Sequence, residues 1–341
     1  RRGVYAAARE VWADKPVNFR SSMSPYWAYR RWPAQLLGVV AVGTTVVSRW
    51  TDGQLVAIDA TRGTIAWRTT DPGSESAGYI GRRTGAGTVY SPVGMYTAGG
   101  VLIVTGDAEV SGYAVASGRL LWTKRSDRCA TYFTGPSAFV TVTGCQPSSS
   151  VEVYRAGDGQ RIARPSLDQG GIGSVAPFAC TVGRSECRGV RTPGHAWLIG
   201  ADGALSESPA LADPRSWLAG NVVVAPGPGG TLTGASLAGG RRLWSWPATG
   251  PAPAGAQVVA VEPGAVHVLT AERDLISLGP ADGLELSRLS LLALGNTMFD
   301  PGHVYAADRF VFVERLRPGA KESDPDQSYY YPSPNVLVTG S

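Results

Sequence analysis

Lysine is nearly missing from this chain. Of its 31 basic residues only Lys15, Lys124 and Lys321 are lysines, and with 27 acidic residues the net charge is +4. No dense basic run interleaved with aromatics occurs, which excludes the groove of a single-strand nucleic-acid binder. The arginine bias, in a chain rich in Ala, Gly and Pro, is the mark of a GC-rich genome. Charged residues amount to only 17% while hydrophobic ones reach 43%, enough for a core, so disorder is confined to loops. Long apolar runs are also absent. The longest, Leu36 to Val47, is interrupted by Gly38 and Gly43 and falls short of the about 18 residues that a membrane span needs. Membrane association would therefore require a segment outside this chain. The opening Arg1-Arg2-Gly3 lacks a Met, as expected of a processed protein or an excised outer domain.

Histidine is equally sparse. His195, His267 and His303 are scattered, with no H-E-x-x-H and no nucleophile elbow. The four cysteines, Cys129, Cys145, Cys180 and Cys187, include neither an adjacent pair nor a C-x-x-C unit. Zinc would want closer pairs, so disulfides are the better reading, and they imply an oxidising, extracytoplasmic compartment. Cys129 with Cys145 and Cys180 with Cys187 is the simplest of three connectivities. Turn formers, by contrast, are abundant: 44 Gly and 24 Pro separate alternating apolar runs. This pattern predicts one large all-β unit spanning 1–341.

The most informative stretch runs from Gly53 to Trp67. An alternating segment, Gln54-Leu55-Val56-Ala57-Ile58-Asp59, leads through a turn with Gly63 into a second segment ending in Trp67. Period-two alternation places Leu55 and Ala57 on one side of a hairpin, and Gly63 can supply the positive φ of a tight turn. The ending Gly-x-x-x-Trp recurs at Gly118–Trp122 and Gly240–Trp244, and weaker copies lie at 153–162, 196–205 and 275–286. The phrase Ala-Ile-Asp-Ala-x-x-Gly-x-x-x-Trp resembles the repeat of the PQQ-type β-propellers, the family of quinoprotein dehydrogenases and of the lipoprotein scaffold of outer-membrane protein assembly.

That resemblance implies four-stranded blades around a channel, since one blade cannot bury its own faces. Outer strands ending near residues 12, 67, 122, 164, 206, 244 and 287 give seven blades at spacings of roughly 38 to 55 residues. Eight are possible if the degenerate region from 165 to 215 hides another. Ala8 to Trp12 reads as an outer strand that completes the last blade and closes the ring. In the family the repeat tryptophans dock adjacent blades, which makes Trp67, Trp122 and Trp244 packing anchors. Asp59 then is a turn residue and not a catalytic acid.

One propeller face carries the connections between blades and the loops joining middle strands. On it the expectation places Tyr26, Trp27, Tyr29, Arg30, Arg31 and Trp32 from a connection spanning 18–34. A second connection, 71–92, adds Tyr79, Arg82, Arg83 and Tyr90. The middle-strand loop 317–334 contributes Tyr329, Tyr330 and Tyr331. The same face would hold Cys129 and Cys145, which favours pairing them. Tyr, Trp and Arg dominate binding hot spots, so this is the candidate partner surface; the alternative is that its aromatics plug the end of the propeller. Quinoproteins of the family carry adjacent cysteines, a calcium held by Glu and Asn, and an Asp base. The present chain has no Cys-Cys pair and no such calcium set, so no catalytic, cofactor or metal-binding residue is assigned. Asp107 and Glu109, two apart in a middle-strand loop, would flank one strand face as a carboxylate pair that a glycosidase or cation site could use, although a solvated loop is the better account of them. The expectation is a non-catalytic, extracytoplasmic binding or scaffold module without cofactor, engaging a protein or a cell-envelope polymer. The competing class is an enzyme with a central-channel site, either a glycan hydrolase or lyase or a quinoprotein dehydrogenase.

Overall fold

A computed structural model describes residues 4–7, 9–14, 25–71, 94–127, 129–143, 150–163, 175–181, 183–247, 250–292, 298–307, 310–321, 323–331 and 336–340. Among the described residues helix is limited to one turn, Asp326–Tyr329, and two short 3-10 segments. The remaining elements are antiparallel strands in eight sheets among the described residues, six of four strands and two of three. Each four-stranded sheet is an up-and-down meander, the blade unit expected from the repeat.

The chain divides into two compact units, residues 1–193 with 197–207, and residues 194–196 with 208–341. The first unit holds the first four sheets and most of the fifth. The second unit holds the last three sheets.

In the first unit, the first sheet comprises Val4–Ala7, Glu10–Asp14 and Pro25–Arg30, and the second runs from Leu36–Val42 to Thr64–Thr70. The third runs from Met95–Ala98 to Leu120–Arg125, the fourth from Ala130–Thr134 to Arg161–Ala163, and the fifth from Ala176–Phe178 to Leu205–Glu207. In the second unit the four-stranded sheets run from Trp217–Ala219 to Arg242–Trp246 and from Gln257–Glu262 to Glu285–Ser290. The last sheet is Asp300–Ala307, Phe310–Leu316 and Val336–Gly340.

The hairpin Gln54–Asp59 to Thr64–Thr70 forms in the anticipated register, with Ala57 opposite Trp67 and Asp59 opposite Thr64. Its middle strands are buried on both faces. Leu55, Ala57, Val47 and Trp67 pack against Met95, Leu102 and Tyr113 of the third sheet, while Val46, Val56 and Ile58 pack against Val11, Ala13 and Trp27 of the first. That two-sided burial explains the nearly continuous apolar run Leu55–Ile58. In the turn, the Asp59 carboxylate accepts the Thr61 N–H at 2.8 Å and the Thr61 hydroxyl at 2.6 Å, and its carbonyl accepts the Gly63 N–H at 2.7 Å. These bonds make Asp59 a turn residue, and those to Thr61 hold its carboxyl below its ordinary pKa.

The repeat tryptophans act as links. Trp67 Nε1 donates to the Val115 carbonyl at 2.7 Å, Trp122 Nε1 to Ala156 at 2.6 Å and Trp244 Nε1 to Pro280 at 2.7 Å. Three residues beyond each acceptor stands a glycine, at 118, 159 and 283, whose Cβ, were there one, would lie within 2.8 Å of the indole. All three glycines have positive φ. Geometry and contact therefore both require glycine there.

Two expectations about the first and last sheets are corrected. Glu10–Asp14, which carries Trp12, is no outer strand of the last sheet: it lies between Val4–Ala7 and Pro25–Arg30, with Trp12 opposite Tyr5 and Ala28. Segment 18–34 is likewise no simple connection, because Pro25–Arg30 is the outer strand of the first sheet. Tyr26-Trp27-Ala28-Tyr29 is aromatic and alternating, a combination that suits a half-buried strand. The N-terminal strands thus make a sheet of their own, and the described residues form eight sheets, the number left open beside seven. The region 165–215 contributes a single sheet among the described residues.

Candidate functional site

The expected binding residues at 26–32 divide between two sides of a strand, because successive side chains alternate. Trp27 is turned inward and only 8% exposed; its Nε1 donates to the Ala60 carbonyl at 2.9 Å, and its ring covers Gly63. It is a fourth docking tryptophan, three residues again separating acceptor and glycine, so its assignment to a partner surface is corrected. Tyr29, half-buried, meets Trp50 edge to face at 5.8 Å, and the Arg68 guanidinium lies 5.8 Å from its ring centre. Tyr26 and Arg30 point outward, and Arg30 pairs with Glu10 at 2.9 Å.

Arg31 anchors the corner that follows the strand. Its guanidinium pairs with Asp52, donates to Gln54 Oε1 at 2.7 Å and to the Tyr29 hydroxyl at 3.3 Å, and lies 5.9 Å from the ring centre of the buried Trp50. On this support sits Trp32, 77% exposed, with the Arg9 guanidinium 3.8 Å from its ring centre. An indole presented to solvent on a rigid, charge-fixed base is a ready hot-spot anchor.

The other predicted surface residues are placed differently. Tyr79, Arg82, Arg83 and Tyr90 lie outside the described residues. Tyr329, Tyr330 and Tyr331 do fall between two strands of the last sheet, as anticipated, but they belong to the second unit and are built into it. Tyr329 is buried and stacks edge to face with Tyr330 at 5.0 Å; Tyr330 bridges to Leu316. Tyr331 is half-buried beneath the Arg315 guanidinium at 4.3 Å. Their aromatic faces are spent on packing.

Cys180 and Cys187 form the expected disulfide. Cys129 is also disulfide-bonded, and its expected partner Cys145 lies outside the described residues. The first bridge joins Cys180 to Cys187, and residues 184–187 lie along Met95–Ala98 of the third sheet and Ala130–Thr134 of the fourth. Thr134 N–H donates to the Arg184 carbonyl at 2.9 Å, Glu186 N–H to Thr134 Oγ1 at 2.9 Å and Cys187 N–H to the Thr134 carbonyl at 2.7 Å. Thr97 N–H donates to Ser185 Oγ at 3.1 Å. Ala179 and Glu186, near the two ends, adopt positive φ without being glycine. Burial pushes the Glu186 carboxyl above its ordinary pKa.

Against the third and fourth sheets and this loop lies a cavity of about 560 Å³, lined among others by Asp107, Asp127, Arg184, Tyr96, Tyr132 and Ser126. The singled-out pair Asp107 and Glu109 is not brought together on one strand face. Asp107 sits in a bend, whereas Glu109 begins the strand Glu109–Ala114 opposite Arg125. Beside the cavity, Arg49 and Asp71 form a buried ion pair at 2.7 Å, and Arg49 also donates to the Thr105 carbonyl at 3.1 Å. The sequence reading passed over Arg9, Asp127 and Arg184. Only Arg184 carries a local signal, its place between two cysteines.

A family model described as outer membrane protein assembly factor BamB matches residues 6–176, half of the chain. The chain belongs to this PQQ-like β-propeller family. No curated protein matches. Among solved structures, BamB from Moraxella catarrhalis is 16% identical, with 92% of this chain and 88% of that chain covered and a TM-score of 0.45. A europium-containing methanol dehydrogenase is 12% identical over 93% of this chain and 81% of that one, at a TM-score of 0.44. The C-terminal WD40 domain of Sif2 is 10% identical over 90% and 87%, at 0.49.

Proposed function

We propose that the protein is a non-catalytic, extracytoplasmic scaffold module that captures a protein partner at the corner built by Arg9, Tyr26, Arg30, Arg31 and Trp32. The observation that carries this reading is the exposed Trp32 indole capped by Arg9, next in sequence to Arg31, whose guanidinium pairs with Asp52. Arg9 already lies against the indole and Arg31 already spends its guanidinium on Asp52, Gln54 and Tyr29, so a partner would have few side chains left to order there. The disulfide and the outer-membrane description of the family support the extracytoplasmic part. A cell-envelope polymer is the alternative occupant.

The test is photo-crosslinking in the native envelope from a benzophenone amino acid at position 32, with a second probe at the solvent-facing position 120 as control. A discrete adduct specific to position 32, lost on Arg9→Ala, supports the corner. Equal labelling from both positions sinks it.

The enzyme reading has one observation in its favour, two carboxylates on the cavity wall. Asp107 and Asp127 are both exposed, whereas a glycosidase acid sits in an apolar pocket.

A further inference from the structure

We propose that the cavity against the third and fourth sheets binds a small zwitterion with a second cationic group, of the chemical class of a basic amino acid. Its volume, about 560 Å³, lies within the range of roughly 300–1,000 Å³ of small-molecule pockets. Three elements bring charge to it. Asp107 comes from the bend between Val101–Thr105 and Glu109–Ala114, Asp127 from the connection after Leu120–Arg125, and Arg184 from the disulfide-closed loop.

Among the described residues no ion pair within 4 Å joins Arg184 to either carboxylate. Asp127 spends one oxygen on the Cys129 N–H at 3.1 Å, which leaves the other open. A carboxylate is acceptor-only and a guanidinium donor-only, so a ligand serving both must carry donors at one end and acceptors at the other. An α-amino acid does so. Among the described lining residues two acidic groups stand against one basic group, and a second ammonium or guanidinium on the ligand would meet the remaining carboxylate.

Arg184 is held for this purpose at the level of the backbone. Its carbonyl accepts the Thr134 N–H, its neighbour Ser185 accepts the Thr97 N–H, and Glu186 and Cys187 both donate to Thr134, a residue with no solvent exposure. The hydroxyl lining is fixed as well: Tyr132 Oη lies 2.6 Å from Ser126 Oγ. Burial pushes the phenols of Tyr96 and Tyr132 up, so both remain neutral. The same burial argues against a saccharide. At 4% and 8% exposure the two tyrosine rings offer no open face on which a sugar could stack.

Calorimetric titration of the full chain with L-lysine and L-arginine tests the site, beside L-lysinamide, Nα-acetyl-L-lysine and D-glucose. The expected result is saturable binding of the free amino acids, weakened about tenfold or more by blocking either the α-carboxylate or the α-amine. Asp107→Asn should weaken L-lysine to a similar extent. Arg184→Ala should abolish the discrimination between L-lysine and L-lysinamide. Both side chains are exposed, so melting temperatures should be unchanged, and the ligand series on the unaltered chain needs no variant to fold. Absence of heat with both amino acids, equal binding of the blocked derivatives, or tighter binding of glucose would each overturn the proposal.

Discussion

Trp27 and Gly63 are 36 positions apart in sequence and in direct contact: a Cβ at position 63 would stand 2.4 Å from Trp27 Cβ. Gly63 has φ of 73°, so Gly63→Ala combines left-handed strain, about 1–2 kcal/mol, with overpacking of about 1–3 kcal/mol. Gly43 provides the control, with φ of 57° and nothing within 4 Å of a Cβ. Gly43→Ala should show the strain alone. Urea unfolding of both variants measures the difference; equal losses would show that the ring contact carries no weight.

Trp27 and Trp32 should behave oppositely although only five positions separate them. Trp27→Ala removes a buried indole and its hydrogen bond, at an expected cost of about 3–5 kcal/mol. Trp32→Ala removes an indole that is 77% exposed and should change stability by no more than about 0.5 kcal/mol. Thermal melts decide, and a large loss from Trp32→Ala would mean that the exposed ring is structural and not a docking anchor.

The Arg49–Asp71 pair gives a third expectation. Removing Arg49 alone leaves Asp71 buried without its guanidinium, so Arg49→Ala should destabilise by about 3–5 kcal/mol. Pairing it with Asp71→Ala should recover part of that loss. A double-mutant cycle by chemical unfolding tests this, and simple additivity would contradict it.

His267 sets a pH dependence. It has no solvent exposure, its Nδ1 lies 3.0 Å from Ser277 Oγ, and its Nε2 is 3.7 Å from Glu262. Burial lowers its pKa below the ordinary 6.5, with Glu262 opposing. The unfolded chain therefore takes up a proton near pH 6.5 that the folded chain refuses. The stability present above that pH is lost as the pH falls below it. His267→Gln should show a flatter decline in melting temperature between about pH 7.5 and 5.5; an unchanged slope would show that the imidazole is not the group responsible.

Much of the architecture was legible because the repeat writes the same turn and the same tryptophan several times. Gly63, Gly118 and Gly283 each announce a hairpin, and Trp67, Trp122 and Trp244 each announce an outer strand. Trp27 escaped because no glycine stands four positions before it; its signature lies instead on the receiving side, at Gly63. The candidate sites were harder to read for a different reason. Arg9 reaches Trp32 across a sheet, and Asp107, Asp127 and Arg184 meet from three separate connections, so their chemistry depends on tertiary placement that local spacing does not encode. Asp107 and Glu109 show the converse: adjacent spacing suggested a shared face, and a bend removed it.

The tryptophan links also set how the first unit should come apart. Trp27, Trp67 and Trp122 tie its first four sheets in series, each indole reaching the turn of the next. After the fourth sheet the relay changes, since Ile162 stands where the next indole would be and a Cβ on Gly203 would meet its Cδ1 at 2.6 Å. An aliphatic tip replaces a large ring and donates no hydrogen bond. The hydrogen bonds missing from that joint are made elsewhere: the disulfide-closed loop of the fifth sheet exchanges four with Thr97 and Thr134 of the third and fourth sheets. Reducing the Cys180–Cys187 bridge should therefore speed amide exchange at Thr97, Thr134, Glu186 and Cys187 first, while the amides beside Trp27, Trp67 and Trp122 stay slow.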